Sequence, residues 1–438
     1  MADKIKHMIL QYAVWILILL DIIFVVQSFF YVFRTDLIQC DYGLWISHMK
    51  KSGFLSIYHV GSNGLIESDC NYPPIYIYFL WLVMRFDQGI DSSLTTVLFK
   101  ICPFVFFFAS QYFVYTRVSK EAALSWTMNI AFILNFAVWG QRDVAFGFLL
   151  IGMFYSFYKE QIYAPSIWFA VMCLLKPQGC LFLPCYLIYM YGHKSAWKTK
   201  LVSVSLGAGL GVLTYLPFII HEGTPRVFFD VYLTSSDKYF FSLNTYAPNL
   251  YFWYNECAVA DDWFWLVSVG FMLYSVFTLF LVYKRTQNLF FASMAYAYIM
   301  FMVSPGQHER YALYYIFFIF FMYYVFGQAY SKKFRKNLFR VYILSSLAAF
   351  IGQFVFVLVT EPLEAIRVKY GFPFTEVLPA HADLFFDYCS KHPILNGIYT
   401  CRTFCIFIGT ILNIVCGYIL YKKLYPEVKK CSVQHEVV

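Results

Sequence analysis

The feature that most constrains this chain is a succession of apolar runs, most of them close to bilayer-spanning length and joined by short polar connections. The runs fall near 8–33, 99–116, 122–139, 144–158, 162–175, 179–192, 201–220, 263–283, 288–304, 311–329, 338–359 and 402–421. A helix of about 20 apolar residues covers the hydrocarbon core of a bilayer, roughly 30 Å. Only 13% of the residues are charged and 61% are hydrophobic, whereas soluble domains carry about 25% charged residues. The expected fold is therefore an all-α polytopic membrane protein of about twelve transmembrane helices. The first run contains Asp21 and lacks a small-residue cleavage site, so it reads as an uncleaved first helix rather than a signal peptide.

Residues 73–86, PPIYIYFLWLVMRF, decide the topology. At 1.5 Å per residue they reach only about 21 Å, and they open with two prolines. If this segment does not cross, the basic connections all share one side with Lys4 and Lys6: Arg117/Lys120, Lys159, Lys194 to Lys200, Lys284/Arg285, Lys332 to Arg340 and Lys422 to Lys430. That side holds 19 of the 33 Lys and Arg and 5 of the 25 Asp and Glu, leaving 14 and 20 elsewhere. The positive-inside rule assigns such a side to the cytoplasm. Both termini are then cytoplasmic, and residues 73–86 form an interfacial or re-entrant element. One integral membrane domain, 1–438, carries three long outer loops, 34–98, 221–262 and 360–401, the first with juxtamembrane helices. The net charge of +8 is spread along these cytoplasmic connections and does not form a nucleic-acid patch.

The twelve cysteines show no C-x-x-C pair and no zinc spacing. Most lie in apolar runs, where Cys acts as a small hydrophobe. Cys40 and Cys70, or Cys389 and Cys401, flank outer loops and could pair if that side is oxidising.

Under this topology, polar clusters gather on the outer face. They are Asp36 and Asp41 with His48 in the first loop; WGQRD, with Gln141, Arg142 and Asp143; LLKPQ, with Lys176; and SPGQHERY, with His308 and Arg310. SLNTYAPNLYFW, with Asn244, is a further candidate. Read singly, Asp143 or Lys176 is a helix-end charge and His308 an interfacial histidine; their shared placement is the stronger signal. The residue types suit group transfer from a lipid phosphate. A carboxylate can take the proton of an acceptor hydroxyl, while His308, Arg310, Arg142 and Lys176 can meet charge on a leaving phosphate. No Walker loop or G-x-G-x-x-G unit is present to cradle a nucleotide. No cofactor is implied; two or three carboxylates could hold a divalent ion, but nothing resembles a dedicated cage.

The order CDYGLWISH, NYPPIY, WGQRD, LLKPQ, QHERY resembles the GT-C superfamily of polyprenyl-phosphate-sugar-dependent glycosyltransferases. It is most like bacterial membrane proteins related to GPI mannosyltransferase II, and is similar to dolichyl-phosphate-glucose glucosyltransferases. The resemblance covers roughly residues 10–325. It implies Asp41 as catalytic base, with Asp36 as the alternative, and His308 and Arg310 as contacts to the donor phosphate. Arg142 and Lys176 join that phosphate set, with Asp143, Gln141, Tyr72, Asn71, His48 and Asn244 around the substrate. Two departures stand out. Asn71 occupies the place of the Asp that precedes Tyr-Pro-Pro in the glucose-transferring relatives, and Val144 replaces the Ser of Trp-Gly-Gln-x-Asp-Ser.

The function expected is an inverting glycosyltransferase. It moves a hexose, mannose or glucose, from a polyprenyl-phosphate donor to a glycan or lipid-linked glycan acceptor on the extracytoplasmic or lumenal face. A transporter or flippase of a lipid-linked glycan is the alternative; it predicts broken helices and ionisable groups near the midplane. A non-catalytic scaffold subunit is the third reading, under which the outer carboxylates are replaceable.

Overall fold

A computed structural model describes residues 8–30, 45–59, 66, 68, 70–86, 93–232, 247–251, 264–304, 308–370, 391, 397 and 401–435. Asp36, Asp41 and Asn244 lie outside the described residues, as do Cys40 and Cys389 of the two cysteine pairs. The described residues are helical and include no strand. Among the described residues, six helices are long and apolar enough to cross a membrane: Val97–Arg117, Trp197–Glu222, Leu266–Thr286, Glu309–Ala329, Lys332–Val357 and Arg402–Lys430. A seventh is added if the bent pair Lys120–Thr127 and Ile130–Trp139 is one span. Five shorter apolar helices accompany them, among them Ala13–Gln27, Asp143–Tyr158 and Ala164–Leu175. The chain is thus a multi-helix integral membrane protein.

Two expectations change in detail. The run expected at 122–139 is not one straight helix; it bends by 52° between its halves. The break falls at Met128 and Asn129, where the Asn129 side chain accepts from the amides of Ala131 and Phe132 and starts a new helix. An Asn oxygen satisfies donors that a helix start leaves open. The run expected at 338–359 belongs to a much longer helix, Lys332–Tyr370, which continues into the stretch read as the third outer loop.

The elements around the site are numbered in chain order. They are α1 (Pro74–Met84), α2 (Ser93–Arg117), α3 (Asp143–Tyr158), α4 (Ala164–Leu175), α5 (Ala312–Phe321) and α6 (Lys332–Tyr370). Helix α1 has 11 residues and begins on Pro74 at its first turn, where the missing proline N–H costs nothing. It is about 16 Å long, too short to cross. It packs against α2 and α4, burying Tyr76, Ile77, Leu80 and Val83.

Helix α5, ALYYIFFIFF, is buried along its whole length. A helix apolar on every face belongs inside a bundle or a membrane, and α5 lies against α3 and α6. Gly147 makes the contact with α3 possible: a Cβ there would run into the Phe317 ring. Asp143 lies one turn before Gly147 on the same face of α3, and Tyr314 lies three residues before Phe317 on α5. The close approach at Gly147 therefore brings Asp143 to Tyr314.

Candidate functional site

Asp143 is the first residue of α3 and is fully buried. Its carboxylate sits at the helix N-terminus, where the backbone dipole favours negative charge. Four groups converge on it. Lys176 Nζ forms an ion pair with Oδ1, and the Tyr314 hydroxyl donates to the same oxygen at 3.2 Å. Arg310 Nε lies 3.5 Å from Oδ2, and Asn135 Nδ2 donates to Oδ2 at 3.5 Å. Both oxygens are occupied, so Asp143 positions cations rather than taking a proton.

Local sequence explains how each partner arrives. Lys176 precedes Pro177, and a residue before proline is pushed out of helical conformation. Lys176 is accordingly extended (φ −149°, ψ 132°), α4 ends at Leu175, and the side chain turns into the bundle. Its Nζ lies 5.0 Å from the centre of the Tyr311 ring. Arg310 enters on the short turn Glu309–Tyr311 ahead of α5, stacked 5.1 Å from the Trp139 ring. The turn before Asp143 is set by Gly140, in left-handed conformation at φ 78°, which closes the widened last turn Leu134–Trp139. Lys100 of α2 is buried against that turn and donates to the carbonyls of Ala137 (2.7 Å) and Val138 (3.2 Å).

A second carboxylate, Glu309, is also fully buried. Arg310 Nη1 donates to its Oε1 at 3.4 Å, and His308 Nδ1 is 3.8 Å from its Oε2. Gln178 donates to the Tyr311 hydroxyl at 2.8 Å, while among the described residues its own buried Oε1 has no hydrogen-bond donor. Arg142, next to Asp143, faces an aromatic group: Nη1 donates to the Tyr76 hydroxyl at 2.8 Å, and the guanidinium lies 4.6 Å and 4.1 Å from the Tyr72 and Tyr76 ring centres. Trp45 packs on Tyr72 at 5.3 Å, and among the described residues its buried indole N–H has no hydrogen-bond acceptor.

The electrostatics follow from this crowding. Burial lowers the Lys176 ammonium to about 8, against the raising effect of Asp143, with Arg310 and Arg142 adding to the lowering. Loss of hydration and the neighbouring Arg310 charge lower His308, against Glu309, so at neutral pH it is an uncharged donor and acceptor. Lys176 and Arg310 face the two carboxylates, Asp143 and Glu309, and Arg142, packed on Tyr72 and Tyr76, adds a third cation whose charge reaches Lys176. The excess of positive charge suits an anion, and the polar edges at Gln178 and Trp45 suit a hydroxylated one.

The structure thus joins Arg142, Asp143, Lys176, His308 and Arg310 in one cluster, with Tyr72 at its edge. Gln141 is buried in the same turn, and Asn71 is buried beside Tyr72. His48 is elsewhere engaged: among the described residues its ring nitrogen pairs with the Ser56 carbonyl at 3.1 Å and the Ser56 hydroxyl at 3.4 Å. Glu309, Tyr311, Tyr314, Gln178, Asn135, Tyr76 and Lys100 join the site without having been singled out by sequence. Glu309, Tyr311 and Gln178 lie inside the quoted motifs, and Tyr314 is one turn after Arg310. Nothing local marks Asn135 or Lys100. Among the described residues no group of three or more His, Cys, Asp and Glu could hold a metal ion. No protein-family model matches the chain, and no curated protein matches it.

Proposed function

We propose that the chain is an inverting glycosyltransferase of GT-C type, taking a hexose from a polyprenyl-phosphate donor and passing it to a glycan or glycolipid acceptor. The observation that carries this reading is the meeting of Lys176 and Arg310 on Asp143, with the Arg142 charge close enough to act on Lys176. A phosphate monoester leaving group gains negative charge as the sugar departs, and preorganised cations in a site sheltered from water stabilise that charge strongly. Asp143 holds Lys176 and Arg310 in place before substrate arrives, and neutral His308 adds an N–H donor. The polyprenyl chain stays in the bilayer beside the apolar helices. The proton of the acceptor hydroxyl goes to Asp41, or alternatively Asp36, in the first outer loop. In this reading the chain crosses about twelve times, with both termini cytoplasmic and the site extracytoplasmic or lumenal.

A transporter of lipid-linked glycan is the second reading. The 52° break within Lys120–Trp139 favours it, because discontinuous helices are a transporter feature. Incubating purified protein with a panel of polyprenyl-phosphate sugars separates the two. A transferase consumes one donor and releases polyprenyl phosphate when acceptor is present. Movement of intact donor across a vesicle membrane, with no polyprenyl phosphate released, overturns the transferase reading.

A further inference from the structure

The turn that delivers Lys176 is bracketed by two cysteines, Cys173 near the end of α4 and Cys180 in the short helix Pro177–Phe182. Their sulfur atoms are 3.9 Å apart. Cys180 is exposed and Cys173 is half-buried. The two backbones are pressed together here: a Cβ on Gly179 would stand 2.7 Å from Cys173 Cα. Glycine at 179 is thus what lets the chain double back so tightly. The Cys173 carbonyl is held from the other side by the Tyr232 hydroxyl at 3.2 Å.

We propose that Cys173 and Cys180 are a redox modification site, closing to a disulfide that staples the Lys176 turn. Two sulfurs already at van der Waals separation are about 2 Å from the S–S bond length. Any thiol–disulfide oxidant can serve: the Cys180 thiolate attacks a sulfur of the oxidant and expels one thiol, and the Cys173 thiolate then attacks Cys180 and expels the second. The pair loses two protons and two electrons, and the oxidant disulfide takes them up to become two thiols. With Lys176 midway between the bridged positions, the closed form fixes both ends of the segment presenting the ammonium. Closure in the cell rests on the outer placement of this turn, because disulfides persist on oxidising sides of membranes.

The test uses the full-length protein in detergent with dipyridyl disulfide as oxidant, followed by alkylation of remaining thiols, proteolysis and mass spectrometry. The expected product is a Cys173–Cys180 linked peptide two hydrogens lighter than the dithiol. In Cys173→Ser the same treatment should leave Cys180 as a stable mixed disulfide with pyridinethiol. Full alkylation of both cysteines after oxidant, a persistent mixed disulfide in the unmodified chain, or linkage of either to another cysteine overturns the pairing. A second arm alkylates native membranes before any oxidant is added. A linked peptide there supports closure in the cell. Full alkylation of both cysteines in native membranes, with closure in a separate unalkylated sample in detergent, overturns closure in the cell and retains the pairing.

Discussion

Asp143 and Lys176 are 33 positions apart in the chain and meet as an ion pair sealed from solvent, the carboxylate fully buried and the lysine side chain 1% exposed. Arg310 shares the same carboxylate. Removing one member of such a pair leaves an uncompensated buried charge.

Asp143→Asn is therefore expected to destabilise the protein by about 3–5 kcal/mol, read as a fall in the thermal midpoint in detergent. The double variant Asp143→Asn, Lys176→Met removes both charges and should recover part of that loss while donor use stays low. A single variant with unchanged midpoint would show that the pair carries little of the fold.

Donor binding should depend on pH through Lys176. Its ammonium loses its proton near pH 8, because burial outweighs the help of Asp143. Above that pH the cation disappears, and donor affinity should fall by roughly tenfold per pH unit. Arginine keeps its charge throughout this range, so Lys176→Arg should flatten the alkaline limb even if affinity at pH 7 drops. A limb that survives in Lys176→Arg assigns the titration to another group.

Gly147→Ala drives a Cβ into the Phe317 ring. Overpacking of this kind costs about 1–3 kcal/mol. It should also separate Tyr314 from Asp143, lowering turnover beyond what the stability loss explains. Adding Phe317→Leu creates room and should restore both properties in part. Wild-type behaviour of Gly147→Ala would mean that the α3 and α5 contact is looser than described.

For the base, Asp41→Asn keeps size and cannot accept the proton, so the rate should fall by roughly 10² to 10⁴ fold. Asn caps a helix about as well as Asp, so a purely capping Asp41 predicts a mild effect. Asp36→Asn is made in parallel. Loss in that variant alone moves the base to Asp36, and full activity in both removes the mechanism.

The motifs that met in space were legible because each carries residues that apolar helices avoid. WGQRD, LLKPQ and QHERY bring Asp143, Lys176 and Arg310 to helix ends, and Pro177 and Gly140 mark those ends in the sequence. Asn135 and Tyr314 were not legible. Where every residue of a helix is apolar or aromatic, as in ALYYIFFIFF, the 3.6-residue period marks no preferred face, and the inward side is set by neighbours. Lys100 was hidden for another reason: its partners are the open carbonyls of Ala137 and Val138 at a helix end 37 and 38 positions away in the chain. The bend at Asn129 did have a local signal, an Asn followed by a fresh apolar run, which the unbroken hydrophobicity of 122–139 masked. His48 pairs with Ser56 eight positions on, a contact between loop residues that no periodicity marks.

The complete enclosure of Ala312–Phe321 has a consequence for biogenesis. An entirely apolar segment partitions into lipid unaided, so its later transfer from lipid to protein gains little hydrophobic energy and is driven by close packing. The Asp143 and Lys176 segments leave the ribosome well before Arg310 has been translated. A nascent chain ending near residue 300 therefore holds a buried carboxylate with one cation instead of two, inside a bundle missing its central helix. Such an intermediate should be cleaved readily by added protease at the turn around Lys176, and resistance should appear only once the chain extends past residue 321. Assembly of the polar cluster is then a late step of maturation, and variants at Gly147 should be degraded by the cell's quality-control proteases at that step.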